Sequence, residues 1–349
     1  MPYTHVFSVH SSLQEQLAVA LVRDRGIDPA AVLFLCTRGS FRSAEDYPFT
    51  AVDGDLYRTN GGYNLAKHRR RNLIANARFT IEVLDELAPE FQVYAPMYTY
   101  WYLRLLRERA AAYHVMEDGF GSYQSLAEHA EFARLGLRTT PRQKWANYLR
   151  FLAELPEQHP PIIGVRELLE NAASFVVTSA ACFPFAPPEK KDVVPEPFPP
   201  RYVGEYAGAW VWGTSCLVES GYATLGEYRA LLARVIERLR ARGVTDIYLK
   251  YHPAQTANTE NLAAYRAILH DPAHGLTVTE LAPGTSLESL AAGNAITFVT
   301  GVSTLAFHVA ATGATVLSYL SEIERIGPQA TSYLAKGGMT IFRSITERL

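Results

Sequence analysis

The chain reads as an α/β protein: two Rossmann-like domains whose parallel sheets face a central cleft. Three observations carry that expectation. Short β-rich apolar runs alternate with helical stretches, the rhythm of βαβ units. A dense run of prolines between Phe183 and Pro200, with the doublets Pro187-Pro188 and Pro199-Pro200, interrupts the rhythm once. From Ser289 to Ser321 there is no Asp, Glu, Lys or Arg, and only His308 interrupts the uncharged run. A length of 349 residues suits two domains.

The uncharged run is read as buried strand–helix–strand. A spanning helix needs about 20 apolar residues in a row. This run is broken by Gly293-Asn294, Thr300-Gly301, Ser303-Thr304 and Thr312-Gly313. Ile296–Val299 and Thr315–Tyr319 are β-rich, and Leu305–Ala311 between them has helical length. Strands buried on both faces read as continuous apolar runs.

The N-terminal elements follow in order. Strand Val6–Val9 leads to a helix over Leu13–Arg23 and a strand over Ala31–Cys36. A basic helix is expected over Leu65–Ala77, a strand over Phe79–Val83 and a helix over Tyr100–Arg109. Strand Tyr113–Met116 ends at Glu117-Asp118-Gly119, helix Tyr123–Arg134 follows, and Ser174–Thr178 is the last strand. Proline cannot donate to a sheet ladder, so residues 183–202 are expected to be a linker. The domains are then 1–182 and 203–349, with the last helix a candidate to pack back on the first domain.

After the linker the rhythm restarts. Strands are expected over Ala209–Trp212, Asp246–Tyr251 and Leu276–Leu281. Helices are expected over Leu225–Arg240, Leu262–Leu269 and Ser286–Ala292, before the uncharged segment.

Composition narrows the partners. Hydrophobic residues are 48% and charged residues 19%, an ordinary folded balance. With 33 Lys+Arg against 35 Asp+Glu the chain is not basic, so no nucleic-acid partner is expected. Met1–His5 lacks the basic and apolar regions of a leader. Cys36, Cys182 and Cys216 form no close pair and are expected in cores. A cytoplasmic protein follows as the expectation, with at most peripheral contact at the inner face of a bacterial inner membrane.

Ligands of open α/β sheets bind beyond the carboxyl ends of the strands. Four polar clusters fall there. Glu117-Asp118-Gly119 offers a general base held at a turn, or simply a turn and helix cap. His252-Pro253 projects an imidazole past a strand end, to meet a phosphate or to cap carbonyls. Gly301, Ser303 and Thr304 precede a helix, where hydroxyls and open amides bind anions or cap the helix. Glu288 is the first-turn acid of a short helix, able to close a capping box with Thr285 or to accept ribose hydroxyls.

In this order the clusters resemble the D/E-D/E-G, HP and S-S/T motifs of bacterial sialyltransferases and polysialyltransferases. Thr279–His308 is similar to their nucleotide-binding stretch. The resemblance covers motifs in both domains and the two-domain plan, and it implies a GT-B fold. It implies an inverting transfer of a nonulosonic acid (sialic acid, Kdo, legionaminic or pseudaminic acid) from CMP to a hydroxyl of a bacterial surface glycan, lipid-linked ones included. It implies no metal and no cofactor beyond the CMP-sugar donor.

Carried over, Glu117 would be the base, with Asp118 the runner-up. His252 would bind the CMP phosphate and assist its departure, with Pro253 fixing the turn. Ser303 and Thr304 would hold the same phosphate beside Gly301. Glu288 would bind the ribose, and Lys250 and Tyr251 would border the base. Ser12 and Gln14, after the first strand, would contact the sugar or cap a helix. Trp210 and Trp212 share one strand face, for sugar stacking or core packing.

Other signals point elsewhere. Arg69-Arg70-Arg71 would attract anionic acceptors or be a solvated helix face. Asp53-Gly54-Asp55 matches a metal-binding DxD pattern but is read as a hairpin turn. Gly119-Phe120-Gly121 lacks the third glycine of a dinucleotide fingerprint. A GT-B enzyme using a UDP-sugar (transferase or epimerase) and a non-catalytic nucleotide- or glycan-binding protein are the rival readings.

Overall fold

The computed structural model describes residues 2–37, 49–57, 78–96, 101–125, 127–128, 171–327, 330 and 339–349. The chain divides into two compact units, Met1–Pro197 and Phe198–Leu349. Both are parallel α/β units, as a GT-B chain requires.

The first unit holds seven strands: β1 (Tyr3–Val9), β2 (Val32–Cys36), β3 (Thr50–Asp53), β4 (Leu87–Ala95), β5 (Ala112–Met116), β6 (Ser174–Val177) and β7 (Lys191–Val193). Their order is β3-β2-β1-β4-β5-β6-β7, with every pairing parallel. The chain moves outward from β1 to β3, then crosses back to β4. The reversal therefore lies between β1 and β4. Every residue of β2 is buried, which is why it reads as an unbroken apolar run. Phe7 on β1 stacks between Phe34 of β2 and Tyr94 of β4, at ring distances of 5.4 and 4.4 Å. Helix α1 (Ser12–Asp24) is capped by Ser11, whose side chain accepts from the Gln14 amide.

Three sequence expectations change here. Residues 78–82, which overlap the expected strand Phe79–Val83, are helical and carry an Arg78–Glu82 pair at 2.6 Å. That i,i+4 spacing brings opposite charges together only in a helix. The true neighbour of β1 is β4, where Pro89 and Glu90 hide the apolar pattern. The expected helix over Tyr123–Arg134 begins as a 3-10 turn, Phe120–Tyr123, and most of its length lies outside the described residues. Helix α2 (Trp101–Arg109) matches its expected place. Leu65–Ala77 and Arg69–Arg71 lie outside the described residues.

The proline-rich segment is more than a linker. It contributes β7, which pairs with β6 through Phe175–Lys191, Val176–Asp192 and Val177–Val193. Its prolines flank this three-residue edge strand, where an absent donor faces no neighbour.

The second unit holds β8 (Trp210–Gly213), β9 (Asp246–Lys250), β10 (Thr277–Glu280), β11 (Thr297–Thr300), β12 (Thr315–Ser318) and β13 (Glu347–Arg348), in the order β10-β9-β8-β11-β12-β13 and all parallel. Helix α3 (Leu225–Ala241) starts at a Thr224–Glu227 capping box and buries Tyr228, Leu231, Leu232, Val235, Ile236 and Leu239. That spacing is one face of a helix. Helices α4 (Pro253–Thr256), α5 (Thr259–Leu269), α6 (Leu287–Gly293), α7 (Leu305–Ala311) and α8 (Leu320–Glu324) follow.

The uncharged run is β11, α7 and β12, as expected, and no described helix is long and apolar enough to cross a membrane. The final helix α9 (Met339–Ile345) packs Phe342 against Phe307 of α7, at 6.1 Å. Trp212 is fully buried and edge-on to Tyr319, so core packing is its role.

Candidate functional site

In the second unit the chain runs from β8 through β9 to β10, then crosses to β11 on the other side of β8. The switch point is the carboxyl end of β8 and β11. Gly213-Thr214-Ser215 leaves β8 there, and Gly301-Val302-Ser303-Thr304 leaves β11. The two loops touch. A Cβ on Gly301 would lie 2.5 Å from Ser215 Oγ, 2.8 Å from Ile323 and 2.9 Å from Tyr319, so only glycine fits. Ser215 Oγ and Tyr319 Oη are 3.0 Å apart. Ser303 Oγ accepts from the Leu305 amide at 3.2 Å, whereas Thr304 makes no side-chain cap. Both are half-buried. Ser303 therefore caps, and the Thr304 hydroxyl stands at the same turn.

His252 leaves the neighbouring strand. Its backbone amide donates to Thr214 Oγ1 (3.2 Å) and Gln255 Oε1 (3.0 Å), tying the β9 end to the β8 end. Its Nδ1 accepts the Ala254 amide at 3.1 Å. A nitrogen that accepts carries no proton, so the neutral ring bears its hydrogen on Nε2 and presents a donor there. Solvent reaches the ring, but protein crowds it. Burial lowers its pKa below the ordinary 6.5, opposed by the charge of Glu219. Pro253 opens α4, where its missing N–H is harmless.

Gln255 is a centre that motif reading missed. It is fully buried; its Nε2 donates to Ser215 O and Tyr228 Oη, both at 3.1 Å, and its Oε1 also accepts from Thr214 Oγ1. The local signal was a glutamine three residues after a cap, the capping-box spacing.

The other expected nucleotide contacts separate. Lys250 Nζ donates to the Thr285 carbonyl; burial lowers its pKa, and Glu288 opposes that shift. Glu288 is nearly buried, accepts from Ser286 Oγ at 3.0 Å and lies 4.0 Å from His308 Nδ1. Its expected box with Thr285 is replaced by a cap from Ser286. Tyr251 turns away. It is buried, and its hydroxyl donates to Glu280 at 3.2 Å with Arg266 5.9 Å from its ring. Forked bonds from Arg266 hold the Glu280 carboxyl at about 2. The expectation that Tyr251 borders a base is thus corrected: its polar end is committed to a surface ion cluster.

In the first unit Glu117 and Asp118 follow β5. Glu117 is fully buried. Its Oε1 accepts from Tyr123 Oη (2.8 Å), and its Oε2 from the Thr178 amide (2.8 Å) and hydroxyl (2.7 Å). A carboxylate so occupied ties the ends of β5 and β6 to the 3-10 turn and cannot meet a substrate hydroxyl. This corrects the assignment of Glu117 as base. Asp118 is half-buried, and its amide donates to Ser122 Oγ at 2.9 Å. Gly119 follows at φ 109°, a conformation that only glycine adopts without strain. Phe183 closes the turn at φ 47°, and its amide donates to the Ser122 carbonyl at 2.6 Å.

Gln14 is also corrected. It is fully buried, and its Oε1 accepts the His10 amide at 2.8 Å, so it braces the β1–α1 turn. Ser12 is exposed in the first turn of α1. Asp53-Gly54 makes no hairpin, because β3 runs parallel to β2 and continues as a 3-10 turn, Gly54–Tyr57. A Cβ on Gly54 would lie 2.7 Å from Thr37 Cγ2. Among the described residues no cluster of His, Cys, Asp or Glu is arranged to hold a metal.

No protein-family model matches this chain, and no curated protein sequence does. Solved structures with a similar layout include the Methanocaldococcus jannaschii UDP-GlcNAc 2-epimerase in complex with UDP-GlcNAc and UDP, at 8% identity and a TM-score of 0.49, covering 98% of this chain and 99% of that one. A glycosyltransferase from Rickettsia africae gives 9% identity and a TM-score of 0.42, covering 91% and 79%. The wall teichoic acid polymerase TagF gives 10% identity and a TM-score of 0.44, covering 99% and 81%. Identities this low leave each site residue to be judged on its own geometry.

Proposed function

We propose that the chain is a metal-independent, inverting glycosyltransferase that moves a nonulosonic acid from a CMP donor to a glycan hydroxyl. The observation that carries this reading is the His252 turn. A neutral imidazole with its Nε2 donor outward stands one strand from the β8–β11 switch point. Backbones two strands apart are about 10 Å apart. A phosphate bound between these turns would meet the imidazole from one side and a hydroxyl from the other.

The leaving group is a phosphate monoester anion. Donors already oriented toward it lower the barrier without a metal. His252 Nε2–H and the hydroxyls of Thr304 and Ser303 fill that role. Glu288 and Lys250 form the nucleoside wall, and Ser12 contacts the sugar. Asp118, half-buried beside a glycine turn, takes the proton of the acceptor hydroxyl. Glu117 holds the turn that presents it.

The test is release of CMP from CMP-sialic acid, CMP-Kdo, CMP-legionaminic acid and CMP-pseudaminic acid, each with and without glycan acceptors. Turnover of one of the four supports the reading. Turnover or tight binding of a UDP-sugar, with no response to any CMP compound, overturns it.

A further inference from the structure

Residues 201–209 lead into β8 and belong to no motif considered above. The segment is pinned to the end of α6. The Arg201 amide donates to Ser289 O at 3.0 Å, and the Gly208 amide to Ala295 O at 2.8 Å. Asn294, itself buried, accepts the Tyr206 amide on Oδ1 at 3.0 Å. Its Nδ2 donates to Tyr202 O (2.9 Å) and Leu290 O (2.8 Å). A Cβ on Gly293 would lie 2.6 Å from Arg201 O, so the two backbones are in close contact.

What this well-anchored loop turns outward is apolar. Tyr202 is 39% exposed and Val203 74% exposed. Tyr202 also has φ 57°, a region that a bulky side chain occupies only under strain. Strain held in a rigid, exposed segment points to a use for that conformation.

From Tyr202 a run of edge-on rings leads to the sheet. Its ring meets Tyr206 at 5.8 Å, and Tyr206 meets Tyr248 of β9 at 4.9 Å. On the edge strand β10, Thr279 pairs with Tyr248 and Thr277 with Asp246. Paired and alternate residues of a sheet share one face. On that face Asp246, Thr277 and Thr279 are exposed and Tyr248 is half-buried.

The chemistry of this surface selects its partner. It carries phenol rings, a valine, two threonine hydroxyls, the carboxylates of Glu205 and Asp246, and the cation of Arg201. Lys250 on the same face is committed to Thr285 O. An anionic lipid surface calls for a cluster of cations, and acids stand here instead. A second copy of the chain would need a broader apolar core than Val203 and part of Tyr202. A neutral saccharide fits. Its weakly positive C–H faces lie against the negative faces of phenol rings, and its hydroxyls exchange hydrogen bonds with threonine and carboxylate.

We propose that Tyr202, Tyr206, Tyr248, Thr277 and Thr279 form a binding surface for a neutral stretch of glycan chain. The loop enters the amino end of β8, and the four residues of that strand separate it from the β8–β11 turn by about 13 Å. The use of this surface to hold an acceptor for transfer rests on the reading above; binding of the glycan does not.

The experiment is an NMR titration of the full chain with maltopentaose, cellopentaose and laminaripentaose, following the tyrosine rings. Pentagalacturonic acid is the anionic comparison. One neutral pentasaccharide should move the Tyr202, Tyr206 and Tyr248 signals. Tyr202→Gly removes a ring and relieves the strained backbone, so it should weaken binding about fivefold to tenfold without lowering Tm. Thr279→Ala, on the exposed edge, should weaken it about threefold and serves if the glycine variant does not fold. No response to any neutral pentasaccharide overturns the proposal. So do shifts confined to other residues, a stronger response to the anionic one, and unchanged affinity in a folded variant. Failure of every CMP-sugar to turn over would sink the functional reading and leave this titration intact. A flat titration in a chain that consumes CMP-sugars sinks only the glycan surface.

Discussion

The carboxyl edges of the two sheets solve one problem differently. On the function proposed above, each must hold a reactive group at a strand end without burying it. In the first unit the work is divided between neighbours. Glu117 gives both oxygens to Tyr123 and Thr178, and Asp118 follows it at the turn, half-buried. In the second unit one side chain does both. His252 anchors itself through Nδ1 and presents Nε2. Glu117 is fully buried with donors on both oxygens, whereas an imidazole has two distinct nitrogens and can bond through one while the other stays available. A pair is therefore needed where the group is an acid, and a single residue suffices where it is a histidine.

The largest effect that would break this comparison comes from the acids. Asp118→Asn should cut transfer by about a hundredfold to ten-thousandfold, the range of a lost general base, with CMP affinity retained. Glu117→Gln should act on stability instead, at about 1–3 kcal/mol for a disturbed buried acceptor, read as a fall in Tm. If Glu117→Gln melts like wild type and is inactive while Asp118→Asn turns over, the division of labour is reversed.

His252→Ala should weaken CMP binding about tenfold, the worth of one charge-assisted hydrogen bond, and slow transfer as well. Calorimetry giving wild-type affinity would remove His252 from the phosphate. Gly301→Ala should destabilise the second unit by about 1–3 kcal/mol, because the added Cβ meets Ser215 and Tyr319. A melting curve superimposable on wild type would show that the β8–β11 turn has room to spare.

A further effect, seen only on acidification, separates the units by pH. His114 on β5 is buried between Ser174 and Gln92, and burial lowers its pKa from 6.5 to about 4. Its folded value is the lower one, so the unfolded chain takes the proton first. This contribution is intact above pH 6.5 and lost as the pH falls toward 4, with a ceiling on the order of 3 kcal/mol. His114→Gln should flatten the slope of first-unit stability in that window. An unchanged slope would assign the acid sensitivity to another group.

Legibility differed between the units for a physical reason. The second is built around the long amphipathic helix α3 and the apolar central strands β8, β11 and β12, and the elements expected there fall close to their places. In the first, β4 carries Pro89-Glu90, β3 is an exposed edge strand, and β7 sits among prolines. These strands are held by their neighbours in the sheet more than by their own pattern. Among site residues, the turns at 117–119, 252–253 and 301–304 were readable because Gly, Pro and paired polar residues mark strand ends. Gln255 was not, because its capping-box spacing marks a helix start and says nothing of its burial against Ser215 and Tyr228.

Two parallel α/β units, the strand–helix–strand of the uncharged run and the loops that leave the carboxyl ends of the strands were all legible in the residues alone. Those follow from hydrophobic period and turn chemistry, which are local. Folding was needed to show that Glu117 is bound by Tyr123 and Thr178, that Tyr251 meets an ion cluster, and that His252 Nδ1 accepts from a cap amide. Each of these depends on a partner far along the chain or on the geometry of a cap: Thr178 for Glu117, Glu280 for Tyr251, the Ala254 amide for His252. Local pattern can place a polar side chain at a strand end, but folding supplies the partner that leaves it spent or available.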